Sequence, residues 1–144
     1  MDGKIPHPPI SSLLGFELVS IEQGKAVFTC TPDESVHNAL GTVSGGIVCT
    51  MFDTAIGCAV HSTMPQGKGF ASLEIKVNFL KAVRPSSGVL TATGTVIKSG
   101  SRAAFTEGTV IDGTGALASI LRETRAFGCR YAKVPVLQGI IGLL

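Results

Sequence analysis

Between Ser44 and Met64, Ile47, Val48, Met51, Phe52, Ala55, Ile56, Ala59 and Val60 recur at three- and four-residue spacing. That period paints an apolar stripe two residues wide along about five turns of α-helix. Asp53 is the one carboxylate in the run. Ser44 stands at the N-cap position, and Pro65 with Gly67 stops the helix near Met64. No other segment carries a helical period of comparable length. A long apolar helix without a helical partner must bury its stripe against a sheet, and this limits the chain to a few architectures.

The remaining segments read as strands and turns. Pro6, Pro8 and Pro9 precede Ile10 to Leu14, a short helical turn at most. Phe16 to Ile21 and Ala26 to Thr31 flank the turn Glu22-Gln-Gly-Lys25 and predict a hairpin. Pro32 to Leu40 reads as loop. Leu73, Ile75, Val77 and Phe79 alternate with Ser72, Glu74, Lys76 and Asn78, which predicts a half-buried strand. Val89–Ile97 and Arg102–Asp112, joined by Lys98-Ser-Gly-Ser101, predict a second hairpin. Asp112-Gly-Thr-Gly115 then turns the chain into a last strand, Ala116–Phe127. The order β-β-α-β-β-β-β is that of an α+β hotdog fold, one long central helix wrapped by a curled antiparallel β-sheet. The 144 residues fit one domain, 1–144, with 130–144 an extension of no assigned role.

Composition narrows the setting. Charged residues make up 15% of the chain, against about 25% in an average soluble domain. That is too few for a disordered chain, and it predicts that another subunit covers part of the surface. A net charge of +2 gives no argument for nucleic acid, and the basic residues lack interleaved aromatics. The uncharged stretch beginning at Ser35 contains three glycines and ends at Asp53, so no membrane span is expected. The opening MDGKIPHPPISS has no basic-then-apolar leader pattern. Cys30, Cys49, Cys58 and Cys129 lack CxxC spacing and a neighbouring His cluster, which points to reduced cytoplasmic thiols and no metal.

Asp53 is the first candidate for chemistry. It has no Arg or Lys nearby in sequence, so a general base or nucleophile in an apolar setting is favoured. The plainer alternative is a buried Asp satisfied by the Thr50 or Thr54 hydroxyl. Gly45-Gly46 either relaxes the backbone at the helix start or leaves N–H groups free to polarise a carbonyl oxygen. Taken singly, Asn38 and Ser72 read as ordinary loop and strand residues, and His37 and His61 as solvated or capping groups. Cys49 could gain reactivity from the helix dipole, but a small buried hydrophobe is the better reading. Lys76, Lys81, Arg84, Lys98 and Arg102 run from Glu74 to Glu107 with no acid among them. They form either a solvated strand face or a rim for an anionic ligand.

Together these residues resemble a family. His37-Asn38-x-x-Gly41-Thr-Val-x-Gly45-Gly46, then Asp53-Thr54-Ala55 and Ser72-Leu-Glu-Ile-Lys-Val-Asn-Phe-Leu80, are similar to the PaaI-type acyl-CoA thioesterases of the hotdog superfamily. The resemblance spans about residues 8 to 127 and implies metal-free hydrolysis of an acyl-CoA to a free acid and coenzyme A, with no cofactor beyond the substrate's own. It implies that Asp53 is the catalytic carboxylate and Gly45 the backbone donor to the thioester oxygen. Asn38 helps hold that oxygen and Ser72 orients water. His37 and Gly46 fall to substrate contact, and Lys81, Arg84 and Arg102 to the nucleotide phosphates. The chain reads Ser44-Gly45-Gly46 where the family usually has His-Gly-Gly; serine can cap a helix but has no titrating ring.

Gly45 and Asp53 lie eight residues apart, roughly 12 Å along one helix. Groups acting on one thioester carbon must come within about 3–3.5 Å of the reacting atoms. Two antiparallel helices, each lending its N-terminus to the other's Asp53, satisfy that demand. A homodimer, with a dimer of dimers as the larger assembly, is therefore expected. The competing readings are an acyl-CoA-binding domain without turnover, suggested by Ser44, and a dehydratase or hydratase, disfavoured because no His lies on the helix near Asp53.

Overall fold

The computed structural model describes residues 8–65 and 68–129. Gly67 and the extension 130–144 lie outside the described residues. Helix α1 (Pro9–Leu14) leads into β1 (Glu17–Glu22) and β2 (Lys25–Cys30). The long helix α2 (Gly45–His61) follows, and then β3 (Gly69–Phe79), β4 (Leu90–Ser99), β5 (Ala103–Ile111) and β6 (Leu117–Cys129). The strands form one six-stranded sheet in the order β1-β2-β4-β5-β6-β3, antiparallel at every pairing. The sheet curls around α2, which gives the hotdog fold that the hydrophobic periods predict. Among the described residues no helix is long and apolar enough to cross a membrane.

The helix stripe is buried as its spacing requires. Val48, Met51, Phe52, Ala55, Ile56, Ala59 and Val60 form the core with Ala26 and Phe28 of β2, Leu90 and Ala92 of β4, and Ala104 and Val110 of β5. Contact is close because two glycines face each other across β4 and β5, Gly94 opposite Gly108. A Cβ on Gly94 would stand 2.7 Å from the Ile56 nitrogen, and one on Gly108 would stand 2.8 Å from Phe52 Cδ1. At the far end of α2, Ser62 Oγ accepts the Gly24 N–H at 2.7 Å, tying the helix to the β1–β2 turn.

Two expectations need correction. Ser44 occupies the N-cap position, but its hydroxyl makes no capping bond; the Ile47 and Val48 amides return instead to the Ser44 carbonyl. Strand β3 is not half-buried in the single chain. Its apolar face looks the same way as the buried Leu121 and Glu123 of β6, which pair with Val77 and Ile75. Yet α2 beds on β2, β4 and β5 and meets the edge strand β3 only through single side chains, Phe79 at Gly45, Ser72 at Asp53 and Phe70 at Gly57. Ile75 and Phe79 are consequently 41% and 55% exposed; Leu73, 64% exposed, sits at the bulge between Ser72 and Glu74, where Ser72 takes the position opposite the inward Arg125.

The Gly94 contact meets helix backbone, which has no rotamer by which to yield. Gly94→Ala is expected to destabilise the chain by about 2–3 kcal/mol. A thermal midpoint equal to that of the wild type would show that the helix does not sit this close.

Candidate active site

Asp53 projects from the face of α2 turned away from β2, β4 and β5, on the side toward β6 and β3, where Gly46, Thr50 and Gly57 also lie without full burial. Its side chain is 51% exposed, so it is not the buried carboxylate that its apolar neighbours suggest. It also has a basic partner, contrary to the sequence-based expectation. Arg125 of β6, 72 residues away along the chain, donates from Nη2 to Asp53 Oδ1 at 2.7 Å and to the Asp53 carbonyl at 3.1 Å. The Ser72 hydroxyl donates to the same Oδ1 at 3.3 Å, while Oδ2 takes no hydrogen bond among the described residues. Thr50 and Thr54 donate to the carbonyls of Gly46 and Thr50, so neither satisfies Asp53.

Behind Asp53 the charge is buried. The Arg125 side chain is 3% exposed and lies over the Phe70 ring, 4.7 Å from its centroid. Glu123, two residues earlier on the same inward face of β6, offers Oε2 to Nη2 at 3.1 Å. Its Oε1 lies 3.0 Å from Nε, with the geometry of an ion pair rather than an aligned hydrogen bond. A buried guanidinium without a counter-charge costs several kcal/mol, and the equally buried Glu123 carboxylate is what keeps Arg125 inside. Burial pushes the Glu123 carboxyl up, with the charge of Arg125 opposing that shift. Burial likewise pushes the neighbouring Cys58 thiol up to about 11, against the pull of Arg125, and raises Cys49 as well. Both therefore stay protonated near neutrality and are poor nucleophiles.

A second group of candidates surrounds the start of α2. The Gly45 and Gly46 amides have no hydrogen-bond partner among the described residues, because the helix begins there and Ser44 does not cap it. A cavity of about 340 Å³ opens beside Gly45, lined among others by Asn38, Thr42, Val48, Phe79 and Lys81. The Phe79 ring lies so near that a Cβ on Gly45 would be 3.0 Å from its Cζ. Asn38 shapes this wall: Oδ1 accepts the Leu40 and Thr42 amides at 2.9 and 3.3 Å, and Nδ2 donates to Thr42 Oγ1 at 2.9 Å. His37, next to it, bridges by backbone to Val43.

The structure thus assembles two clusters. Asp53 meets Ser72; Gly45 meets Asn38 and Lys81 around the cavity, with Gly46 next along the helix and His37 next to Asn38 in the chain but neither lining it. The eight-residue separation on α2 keeps the two apart by roughly 12 Å within one chain. The basic run divides in the same way. Lys81 reaches Asp112 at the end of β5, whereas Arg102 precedes the start of β5, on the order of 30 Å away along the strand. Arg84 stays at the Lys81 end, its amide donating to Ser87 Oγ. Nor is the run free of acids in space: Lys81 Nζ lies 2.6 Å from Asp112 Oδ2. Among the described residues no three His, Cys, Asp or Glu side chains converge as a metal site would need.

A family model of the thioesterase superfamily matches residues 40–119, from the loop before α2 to the start of β6. The chain belongs to that superfamily. It is 30% identical over 117 residues to a 1,4-dihydroxy-2-naphthoyl-CoA hydrolase from Listeria monocytogenes, covering 81% of this chain and 94% of the relative. Among solved structures, the PaaI protein of the Escherichia coli phenylacetic acid degradation operon superposes with a TM-score of 0.77 at 22% identity, over 88% of this chain and 87% of that one. A thioesterase from Haemophilus influenzae superposes with a TM-score of 0.78 at 24% identity, over 85% of each chain. The two structures share the fold of this superfamily member, and the Listeria relative shares its family.

Asp112 gives a test of the Lys81 end of the site. Hydrogen bonds from Lys81 and Thr114, with the Ala116 amide, hold its carboxyl well below the usual carboxylate range. Such a group stabilises the fold above its ordinary pKa, and the contribution is lost as pH falls through the depressed value. The thermal midpoint of the wild type should therefore drop as pH is lowered below about 5. Asp112→Asn should start lower at neutral pH and fall less steeply, and parallel curves for the two proteins would contradict the assignment.

Proposed function

We propose that this superfamily member hydrolyses acyl-CoA thioesters to a free acid and coenzyme A at a site shared by two subunits. The observation that carries the reading is the make-up of α2. Among the described residues it bears unpartnered amides at Gly45 and Gly46, and two turns later a carboxylate with one oxygen held and the other without a hydrogen bond. Those are the two halves of a hydrolytic site, and within one chain they stand too far apart to act on one carbonyl. Antiparallel pairing of two helices brings Gly45 of one subunit to Asp53 of the other.

The small residues on the outer face of α2 suit close approach of a second helix, and the exposed apolar face of β3 is surface that a second subunit can cover. A dimer, or a dimer of dimers, is the proposed assembly, and free thiols at Cys30, Cys49 and Cys58 suit a cytoplasmic setting.

In the proposed reaction the thioester oxygen accepts the Gly45 N–H, with the Asn38 carboxamide beside it, so that negative charge developing there meets a helix N-terminus. Asp53 Oδ2 takes a proton from water, and the resulting hydroxide adds to the carbonyl carbon. Collapse of the tetrahedral intermediate breaks the C–S bond, and the leaving thiolate recovers the proton from Asp53. Direct attack by Oδ2 on the carbonyl is the alternative route, with hydrolysis of the resulting anhydride completing it. No cofactor is required beyond the coenzyme A of the substrate. Lys81, Arg84 and Arg102 are proposed for its phosphates; since Lys81 and Arg102 lie at opposite ends of β5, one phosphate cluster draws them from two subunits. His37 and Gly46 border the acyl entrance. The Listeria relative's name, a CoA-thioester hydrolase, supports this substrate class, and aromatic or medium-chain acyl groups are the first to try.

Ser44 favours one competing reading. With a serine rather than an imidazole before Gly45-Gly46, the chain could bind acyl-CoA without turning it over. Thiol release measured across aromatic and medium-chain acyl-CoAs separates the two. Hydrolysis predicts free thiol from at least one substrate, and a rate about 10²–10⁴-fold lower for Asp53→Asn with the fold unchanged. Binding without thiol release supports the second reading, and full turnover by Asp53→Asn removes Asp53 from the mechanism.

A further inference from the structure

We infer that Arg125, seated by Glu123 and Phe70, is a positioning residue that clamps Asp53 through Oδ1 and leaves Oδ2 as the reacting oxygen. The inference rests on the hydrolase reading above and names which atom of Asp53 works and what aims it. Arg125 itself is withdrawn from substrate, since its side chain is 3% exposed and Nη2 is turned to acceptors on Asp53 and Glu123.

Three observations converge on this role. First, Nη2 bonds both the backbone carbonyl and the side-chain Oδ1 of Asp53, which fixes the carboxylate relative to its own helix turn. A half-exposed Asp without that pair of bonds would exchange rotamers in solvent. Second, Arg125 does not need Asp53 for neutrality. Glu123 already supplies a buried counter-charge at 3.0–3.1 Å, so the reach to Asp53 is additional to charge balance. Third, the helix packs directly on the clamp: a Cβ on Gly57, one turn beyond Asp53, would be in ordinary contact with Arg125 Nη1 at 3.4 Å and Phe70 Cζ at 3.6 Å. The planar guanidinium can serve Glu123 and Asp53 together; a lysine ammonium has the charge without the fork.

The test is steady-state kinetics on the intact protein with an acyl-CoA that it hydrolyses. Arg125→Met alone strands Glu123 as an unpaired buried carboxylate, so the informative protein is the double variant Arg125→Met/Glu123→Gln, which leaves no buried charge behind. Expected are a ten- to hundredfold lower kcat, a KM within about threefold of wild type, and partial recovery of kcat in Arg125→Lys. Added to Asp53→Asn, the double substitution should cause no further loss, because both changes act through one carboxylate. Wild-type kcat in a folded double variant would overturn the clamp while leaving Asp53→Asn inactive and the hydrolase reading intact. A loss expressed only in KM would place Arg125 in binding and overturn it equally. If Asp53→Asn itself keeps full turnover, Asp53 leaves the mechanism and the clamp falls with it, while hydrolysis itself stands.

Discussion

The seat of α2 on the sheet governs what the rest of the molecule can do. Gly94 and Gly108 remove the side chains that would hold the helix off β4 and β5, and the apolar stripe fills the hollow of the curl. Once that stripe is committed to β2, β4 and β5, the opposite face is committed to solvent or to another molecule. Asp53 lies on that opposite face, on the side toward β6, where Arg125 can reach it. Gly45 lies at the end of the same helix, in the cavity bounded by Asn38, Phe79 and Lys81. The close packing therefore sets both the separation of the two clusters and the direction in which each faces.

Much of this architecture was legible because its signals are local. The three- and four-residue spacing from Ile47 to Val60 and the turns around Gly24 and Gly100 depend on neighbours in sequence, and the elements fall within a few residues of where those signals place them. Long-range partners were not legible. Asp53 and Arg125 are 72 residues apart, and Lys81 and Asp112 are 31 apart; both pairs exist because of strand register and the sheet edge. One clue was available. Leu121, Glu123, Arg125 and Phe127 share one face of a strand, so the two charges stand between apolar positions, and charges on such a face require a buried partner. The exposed side of β3 was misjudged for a related reason: alternation shows which face is apolar, not whether this chain alone can cover it.

The shortage of charge takes on a physical meaning in this light. A 15% charged chain leaves Leu73, Ile75 and Phe79 in the open along one sheet edge and small residues along the outer face of α2. Both features border the two clusters that need to meet. In the proposed dimer the same contact buries this surface and closes the site, so assembly and chemistry depend on one interface. Asp53 is then held from behind by its own β6 and meets the substrate across the partner's helix N-terminus.

The shared site is tested most directly by mixing two crippled subunits. Asp53→Asn removes the carboxylate. Gly45→Pro removes the amide donor at the first helical position, where the backbone suits proline and Ser44 already has the extended ψ of 132°; its Cβ, 3.0 Å from Phe79 Cζ, requires only that this half-exposed ring shift by a few tenths of an ångström. Each variant alone should have little thiol-releasing activity. Refolded or co-expressed in equal amounts, they should form mixed dimers in which one of the two sites is intact, restoring about one quarter of wild-type activity. A mixture that forms such dimers yet stays as inactive as its parents would contradict a site built from two subunits.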